Sequence, residues 1–266
     1  RAEHSACFML TEPGAGSDAQ SIATRAQRDG DVYLLNGTKH FITNGKHADW
    51  GVVFAVTDSS KRAKGGISAF IVEPGMYRLG RAHQGMWGHE DQVEIVFEDA
   101  RVPAENLVGK EGWAFVTAMS FLGTGRLQIA ANCLGIADYL LRLGSEYAKE
   151  RKTFGEPIGS RQSIQWMLAD SATELYAARQ MCYHCAWLID EGKNAMAELS
   201  MCKLYATEMV NRVCDRVLQI HGGMGWMRDC PTERYYRYLR MLRIVEGSSE
   251  IQRLIIARTM LGDLAR

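Results

Sequence analysis

Apolar and polar residues alternate over roughly the first hundred positions with the two-residue period of β-strands. Short apolar runs separated by turn residues predict strands at 7–10, 23–28, 32–35, 51–56, 67–72 and 93–97. Asp29-Gly30 is a strong hairpin signal, and Asn36-Gly37 is another turn candidate. Because no helical segment intervenes, the pattern indicates an antiparallel β-sandwich or barrel rather than a βαβ sheet.

From about Gly112 onward, apolar residues recur at the 3.6-residue period of an α-helix. The pattern predicts helices over 113–147, 160–190 and 195–220, and a fourth that follows Ser249. Amphipathic helices of this length pack naturally as an antiparallel bundle. The predicted fold class is therefore α+β multidomain: an antiparallel β-sandwich or barrel domain over 1–108, followed by a four-helix bundle over 109–266.

Composition and charge narrow the possible function classes. Lys and Arg together number 31, as do Asp and Glu, so no charge excess points to nucleic acid or to a membrane surface. No apolar run reaches the roughly 18 residues that a transmembrane helix needs. The 7 cysteines are scattered, and an odd number in a chain of this size indicates a reducing compartment.

The stretch 244–253 carries the strongest candidate for chemistry. Glu246 follows two β-branched apolar residues and precedes Gly247, and helical spacing begins just beyond it. Ser249 and Gln252 have the spacing of an S-x-x-Q capping box. A carboxylate fixed on a short turn against apolar neighbours suits a general base. Taken alone, these residues favour a simpler interpretation, in which the carboxylate interacts with the positive end of the helix dipole.

A glycine-rich segment from Gly14 to Ala19 formally satisfies the G-x-G-x-x-[GA] pattern of dinucleotide-binding folds. No βαβ unit surrounds it and Pro13 stands at its entrance, so we reject a Rossmann interpretation. Such a loop can still offer backbone N–H groups to a phosphate or a flavin, and a surface turn fits the same residues.

Motifs in a fixed order span nearly the whole chain. They are TEPGAGSD from Thr11 to Asp18, Phe41-Ile42-Thr43, ERKTFG from Glu150 to Gly155, Gln219 to Gly223, and VEGSSEIQRLIIAR from Val245 to Arg258. The set resembles the acyl-CoA dehydrogenases. The resemblance implies an FAD flavoprotein that converts an acyl-CoA thioester to the trans-2-enoyl-CoA and passes the electrons to an electron-transfer flavoprotein.

The resemblance also assigns roles to individual residues. Glu246 is the expected catalytic base, which removes the α-proton of the substrate. The residues expected to contact FAD are Phe8, Leu10, Thr11, Phe41, Thr43, Arg151, Thr153, Phe154, Gln162, Gln219, Gly222, Gly223, Ser248 and Glu250. Those expected to contact the acyl-CoA substrate are Ser17, Arg126 and Gly247. No metal is implied.

The segment before Arg126 departs from the family pattern. Relatives often carry an acidic residue shortly before that arginine, whereas this chain has Leu122-Gly123-Thr124-Gly125. Some branched-chain relatives place their catalytic glutamate at the position of Gly125. Glu246 is therefore left as the family-compatible base.

Three functions remain open from the sequence. The first is a dehydrogenase linked to an electron-transfer flavoprotein, and the second is an acyl-CoA oxidase with the same base and flavin. The third is a truncated fragment that binds or assembles without catalysing, because family members normally begin with a further helical domain. The resemblance also implies a homo-oligomer built as a dimer of dimers, located in the cytoplasm of a bacterium or the mitochondrial matrix of a eukaryote.

Overall fold

The computed structural model describes residues 3–86, 88 and 92–264. The chain forms two compact units, Arg1–Phe121 and Leu122–Arg266, which we refer to as the β unit and the helical unit. The boundary between them falls inside a helix that begins at Ala114, whereas the sequence pattern placed the domain division after residue 108.

The described part of the β unit contains one mixed sheet with the form of a half-barrel. Its strands are β1 Ala6–Met9, β2 Arg25–Asp29, β3 Val32–Thr43, β4 Trp50–Val56, β5 Ile67–Val72, β6 Arg78–His83 and β7 Gln92–Pro103. They lie in the order β1-β4-β2-β3-β7-β6, and β5 pairs with β4 outside this order. Every predicted strand is present, and β6 is additional because its sequence, RLGRAH, has few apolar residues.

Most strand pairs are antiparallel, as the sequence predicts, but two are not. β1 runs parallel to β4, with partners from Ala6↔Trp50 to Met9↔Val53, and β2 meets β4 in parallel at one position. These strands are not neighbours in the chain. A parallel pair needs a long crossover connection instead of a hairpin, and apolar periodicity carries no information about such distant partners.

The two turn predictions have different outcomes. The Asp29-Gly30 hairpin is confirmed, because β2 and β3 pair antiparallel on either side of it. The Asn36-Gly37 turn is wrong, because these residues lie inside β3 at a register shift against β7. A Cβ at Gly37 would overlap Thr24, so glycine is required there for close backbone approach within a bulge.

Inward-facing side chains from most of the strands form the core of the β unit. They include Met9, Tyr33, Leu35, Ile42, Phe70, Ile95 and Phe97. Because β1 and β3 both contribute to this core, the chain segments at their carboxyl ends are held in place. Those segments carry Leu10, Thr11, Phe41 and Thr43.

The helices are α1 Ala114–Glu150, α2 Gln162–Asp190, α3 Met196–His221, α4 Gly223–Trp226, α5 Pro231–Leu242 and α6 Ser249–Leu261, with a hairpin of β8 Lys152–Thr153 and β9 Glu156–Pro157 between α1 and α2. The four predicted helices correspond to α1, α2, α3 and α6. The sequence pattern missed α5, whose residues PTERYYRYLRML include only two buried leucines, Leu239 and Leu242.

α3 is the central helix of the helical unit, since it packs against α2, α5 and α6. The surrounding core includes Leu140, Leu175, Cys185, Met209, Val213 and Leu239. One lysine of α3, Lys203, is fully buried within this unit. Within the described residues, none of the helices combines the length and the apolar character needed to cross a bilayer.

Candidate active site

The turn between α5 and α6 holds Glu246 in a backbone conformation that few side chains adopt. Glu246 has a φ of 54° and Gly247 a φ of 83°, so two consecutive residues lie in the left-handed region. A residue other than glycine pays roughly 1–3 kcal/mol for this conformation, and it persists only where surrounding contacts hold it. Contacts from the surrounding residues must therefore hold this turn.

Two buried side chains hold the turn by its carbonyl groups. Lys203 Nζ donates to the carbonyl oxygen of Gly247 at 2.8 Å. Gln252 Nε2 donates to the same oxygen at 2.9 Å and to the carbonyl oxygen of Glu246 at 3.0 Å. Both side chains are fully buried, so these hydrogen bonds are shielded from water and offset the strain of the turn.

The start of α6 differs by one residue from the prediction. Ser248 is the N-cap, and its hydroxyl accepts the N–H three residues further on at 3.4 Å. The predicted Ser249–Gln252 capping box is wrong, because Gln252 turns back to the carbonyl groups of the preceding turn. Ser249 Oγ instead donates to Glu208 at 2.8 Å, and Glu208 pairs with Arg243 at 2.9 Å.

The carboxylate of Glu246 lies against α1 at a glycine. A Cβ added at Gly125 would stand 3.2 Å from Glu246 Oε2, so the glycine provides the space that the carboxylate occupies. Oε2 is buried and has no hydrogen-bond partner among the described residues, and the same is true of Arg126 Nε. A shielded carboxylate oxygen without a donor is available to accept a proton.

Burial raises the pKa of Glu246, and the charges of Arg126 and Lys203 act against that rise. Burial likewise lowers the pKa of Lys203 to about 8, with Cys133 and Glu246 acting in the opposite direction. A carboxylate whose pKa is raised towards neutrality, with cations near enough to stabilise its ionised form, has the properties of a general base.

Lys203 and the contacts of Gln252 with the turn were not predicted from the sequence. Lys203 stands on the buried face of α3, three residues after Ser200 and three before Ala206, both of which are buried. A charged residue within an otherwise buried helical stripe is the signal that could have identified it, because an internal lysine requires a specific acceptor.

The short hairpin after α1 carries Thr153 and Phe154. Phe154 has a φ of 54° and its side chain is 97% exposed. Arg161 Nη2 donates to the carbonyl of Thr153 at 3.2 Å and ties the hairpin to the start of α2. The side chain of Arg151 is exposed beside it. The hairpin therefore presents an aromatic ring and a guanidinium to the outside of this unit.

A small apolar cluster joins the elements that carry four more of the predicted cofactor residues of the helical unit. Ala148, Ile158 and Ile220 join the end of α1, the segment before α2 and the end of α3. The ring of Tyr147 stacks on that of His221 with centroids 4.3 Å apart. The exposed residues around this cluster are Gln162, Gln219, Gly222 and Gly223. Gly222 ends α3 with a φ of 59°, a left-handed value that glycine adopts readily.

In the β unit, a buried ion pair fixes the segment that carries Leu10 and Thr11. Lys39 Nζ lies 2.6 Å from Glu12 Oε1 and donates to the carbonyl of Leu10 at 3.1 Å. The Glu12 carboxylate also accepts two backbone N–H groups at 2.6 and 3.0 Å. The N–H of His40 donates to the carbonyl of Thr11 at 2.8 Å. The structure therefore places this segment directly beside β3.

The end of β3 presents Phe41 and Thr43 to the outside. Phe41 has a φ of 55° and is 55% exposed, and Thr43 is exposed as well. Thr11 is half-buried, whereas the side chain of Leu10 is buried, so any contact from Leu10 to a ligand comes from its backbone. Thr11 and Phe41 come together because Thr11 bonds to His40, the residue before Phe41.

Phe8 lines an apolar groove within the β unit, of about 310 Å³, together with Phe54, Trp113 and Phe121. Ser17 is exposed in the glycine-rich segment. Near the start of that segment Glu12 and Ala15 exchange backbone hydrogen bonds at 3.0 and 3.1 Å, so it begins as a tight turn. β1 precedes the glycines, and a three-residue 3-10 helix, Ala19–Ser21, and then β2 follow them. The segment therefore does not open the helix of a βαβ unit, in agreement with the rejection of a Rossmann motif.

The remaining predicted site residues surround the Glu246 turn. Gly247 and Ser248 are half-buried, and Glu250 is exposed in the first turn of α6. Arg126 is only 9% exposed, and it lies close enough to Glu246 for their charges to interact. Its expected contact with CoA stays a prediction.

The exposed groups fit the chemistry of FAD. Phe41 offers an apolar ring for a flavin face, and the hydroxyls of Thr11 and Thr43 offer donors and acceptors for its polar edge. Arg151 and the backbone near Gly222 are suited to a diphosphate. Phe41 and Phe154 also expose their rings, and a bound cofactor or a neighbouring subunit that covers them would bury this apolar surface.

Models of one protein family match both parts of the chain. Residues 7–100 match acyl-CoA dehydrogenase, middle domain, and residues 110–261 match acyl-CoA dehydrogenase, C-terminal domain. The two matches follow one another in the order of the β unit and the helical unit.

Individual relatives agree with these matches. An acyl-CoA dehydrogenase of Bacillus subtilis is 45% identical over 265 residues, which is 98% of this chain and 69% of the relative. The caffeyl-CoA reductase-Etf complex subunit CarC of Acetobacterium woodii is 44% identical over 258 residues, 96% of this chain and 68% of the relative. The structure of butyryl-CoA dehydrogenase from Megasphaera elsdenii is 41% identical with a TM-score of 0.91, covering 96% of this chain and 68% of that chain. The chain thus spans about two thirds of the length of these proteins.

Proposed function

Because the chain belongs to the acyl-CoA dehydrogenase family of FAD-dependent oxidoreductases, we propose that it oxidises the Cα–Cβ bond of an acyl-CoA thioester to the trans-2-enoyl-CoA. The predicted family, the fold class and FAD as the family's cofactor are confirmed by the family models and the named relatives. The observation that carries the proposed reaction is the Glu246 carboxylate, which has a raised pKa and an unpartnered oxygen on a strained turn.

Glu246 removes the α-proton in this proposal. The α-proton of a thioester is only weakly acidic, so the base must stand in a fixed position and bind the proton firmly. Burial supplies the basicity, since it raises the pKa of the carboxyl group. The hydrogen bonds from Lys203 and Gln252 supply the position, because they fix the backbone that carries the carboxylate.

FAD, when bound, supplies the acceptor for the hydride that leaves Cβ. This chain contributes the exposed groups that would hold the cofactor, above all Thr11, Phe41 and Thr43 in the β unit and Arg151 in the helical unit. Among the described residues, the amide N–H of Glu246 has no hydrogen-bond acceptor. It is free to donate to the thioester oxygen and to stabilise the negative charge that develops there.

We propose an electron-transfer flavoprotein as the electron acceptor. The support is the Acetobacterium relative, whose name places it in an Etf complex. The same name describes a reductase, so reduction of an enoyl-CoA at the same site is the second candidate. An oxidase would use the same base and flavin, and it is distinguished by oxygen consumption during turnover.

We also propose that the protein is a homo-oligomer, arranged as a dimer of dimers. Phe154 and a set of aromatic residues on α2 are exposed in the single chain; those on α2 are Trp166, Tyr176, Tyr183 and Trp187. Exposed rings of this number favour association with another surface. Arg151→Ala should lower the flavin content while the β unit stays folded, and sedimentation of a monomer with full flavin occupancy would contradict the proposal.

Anaerobic mixing of the full-length flavoprotein with butyryl-CoA tests the proposed reaction. The proposal predicts bleaching of the oxidised flavin absorbance and one equivalent of trans-2-enoyl-CoA, followed by electron transfer to an electron-transfer flavoprotein. Reoxidation by oxygen at the turnover rate would identify an oxidase. A flavoprotein that is neither reduced by saturated acyl-CoA thioesters nor reoxidised by enoyl-CoA would show that the proposed function is wrong.

A further inference from the structure

Three side chains with metal-ligand chemistry meet on the sheet of the β unit, and none of them has a role in the proposed reaction. His40 on β3, His83 on β6 and Glu94 on β7 place one ligand atom each within 4.8 Å of one another. Glu94 Oε1 lies 3.1 Å from His40 Nδ1 and 3.7 Å from His83 Nε2. Because β7 lies between β3 and β6, all three side chains stand on adjacent strands of one sheet.

The imidazole nitrogens are not satisfied by this carboxylate. His40 Nδ1 and His83 Nε2 are both buried, and neither has a hydrogen-bond partner among the described residues. His40 Nδ1 is close enough to Glu94 Oε1, at 3.1 Å, for an ion pair. A buried ring nitrogen without a partner is costly, and an ion shared by the cluster removes that cost.

A backbone hydrogen bond fixes the orientation of the Glu94 carboxylate. The N–H of Arg81 donates to Glu94 Oε2 at 3.2 Å, which leaves Oε1 facing the two imidazoles. A Cβ at Gly80 would come within 3.0 Å of the same oxygen, so glycine allows Glu94 to lie along the strand. An outer hydrogen bond that orients a ligand is a common feature of protein metal sites.

We propose that His40, His83 and Glu94 form a binding site for a divalent transition-metal ion, with zinc as the best fit. Bond lengths of 2.0–2.2 Å to nitrogen and oxygen place two ligands of one zinc ion about 3.3 Å apart. The distances of 3.1 and 3.7 Å from Glu94 Oε1 to the two nitrogens lie on either side of that value. Two histidines and one glutamate leave a fourth position open, as in many zinc enzymes.

The surroundings allow an ion to enter and connect the site to a neighbouring side chain. The side chains of His40, His83 and Glu94 are 17%, 20% and 26% exposed. The ring of Phe41 packs against both imidazoles, with centroids 3.9 Å from His40 and 5.0 Å from His83. A metal ion that fixes both imidazoles would therefore also hold the orientation of Phe41.

Zinc titration of the chelator-treated, full-length flavoprotein tests the site. Calorimetry with zinc ions alone should give one equivalent per chain for the wild type. His83→Gln and Glu94→Gln should each weaken binding at least tenfold, because each removes one ligand. His47→Gln is the matched control, since His47 is an exposed histidine of the same unit outside the cluster, and it should keep the wild-type affinity.

Two further measurements locate the ion and verify the variants. Zinc-edge X-ray absorption should show nitrogen and oxygen neighbours at about 2.0–2.1 Å. Zinc should raise the thermal unfolding midpoint of the wild type but not that of His83→Gln, whose midpoint without zinc should match the wild type. Sulfur neighbours at about 2.3 Å, equal affinities for the wild type and both variants, or no binding at micromolar free zinc would each overturn the proposal.

Discussion

Glu12 in the β unit and Glu246 in the helical unit are both shielded carboxylates near buried cations, and they differ in how their oxygens are satisfied. Glu12 accepts hydrogen bonds from Lys39 and from two backbone N–H groups. Glu246 interacts with Arg126 and Lys203 through charge alone, and its Oε2 has no partner among the described residues. The first carboxylate stabilises the fold, whereas the second keeps an oxygen free for a proton.

The two pKa values move in opposite directions for this reason. Burial acts to raise the pKa of both carboxyl groups. At Glu12, the charge of Lys39 and the hydrogen bonds outweigh burial, so the pKa lies below its ordinary value. At Glu246, burial outweighs the charges of Arg126 and Lys203. Hydrogen-bond donors reach the Glu12 carboxylate but not Glu246 Oε2, and this difference accounts for the opposite directions.

Neutralising Glu12, whose carboxylate oxygens accept hydrogen bonds, should have the largest effect on stability. Glu12→Gln leaves the fully buried Lys39 without its counter-charge, which typically costs about 3–5 kcal/mol of unfolding free energy. Urea unfolding followed by fluorescence measures the change. The control is Glu98→Gln, whose pair with Arg78 is exposed and should be worth no more than about 1 kcal/mol. Equal losses in the two variants would contradict the structural role of Glu12.

Lys203→Met should have a smaller effect on stability and a specific effect on Glu246. The variant loses one hydrogen bond to Gly247, worth about 1 kcal/mol, while Gln252 still donates to the same carbonyl. It also removes a cation that favours the ionised form of Glu246, so the pKa of Glu246 should rise further. The pH midpoint for flavin reduction should therefore move upward. Lys149→Met, at an exposed position, should leave the profile unchanged, and a Lys203→Met profile that coincides with it would contradict the prediction.

The smallest predicted effect is the pH dependence of stability. The pKa of Glu246 is raised in the folded state, so its contribution to stability is complete at acidic pH and is lost as the pH rises through the folded value. Glu246→Gln should therefore be at least as stable as the wild type at neutral pH, with its relative advantage shrinking on acidification. Glu12 has a lowered pKa, so its contribution is lost as the pH falls. Unfolding free energies of Glu246→Gln and the wild type at about pH 5 and pH 8 test the first slope, and those of Glu12→Gln at about pH 3 and pH 5 test the second. A Glu246→Gln variant that is destabilised more at about pH 8 than at about pH 5 would contradict the first slope, and a Glu12→Gln variant that is destabilised more at about pH 3 than at about pH 5 would contradict the second.

Local sequence patterns predicted most elements of the fold. Strands and long helices have strong apolar periodicity, so β5 and the bounds of α2 were predicted within two residues or better. α5 was not predicted because tyrosine and arginine dominate its sequence, and β6 was not predicted because its sequence is mostly polar. The parallel pairing of β1 and β4 depends on contacts between distant segments, which periodicity does not encode.

In the candidate site, too, features within one short segment could be predicted, whereas contacts between distant segments could not. A carboxylate just before a capped helix could be predicted from the run around Glu246. The space provided by Gly125 and the hydrogen bond from Lys203 could not, because these residues come from α1 and α3. The Ser248 cap was misplaced by one residue because two adjacent serines have the same capping chemistry.

The rate of flavin reduction in Glu246→Gln tests whether Glu246 is the base that removes the α-proton. Glutamine keeps the size of the side chain but cannot accept the α-proton. In anaerobic stopped-flow mixing with a saturated acyl-CoA, the account predicts that the variant retains its FAD and that bleaching of the oxidised flavin slows by roughly 10² to 10⁴. Glu246→Asp should keep part of the activity, since the carboxylate survives on a shorter side chain. Bleaching of the glutamine variant at the wild-type rate would contradict the account and leave Glu246 as a carboxylate that only flanks a helix.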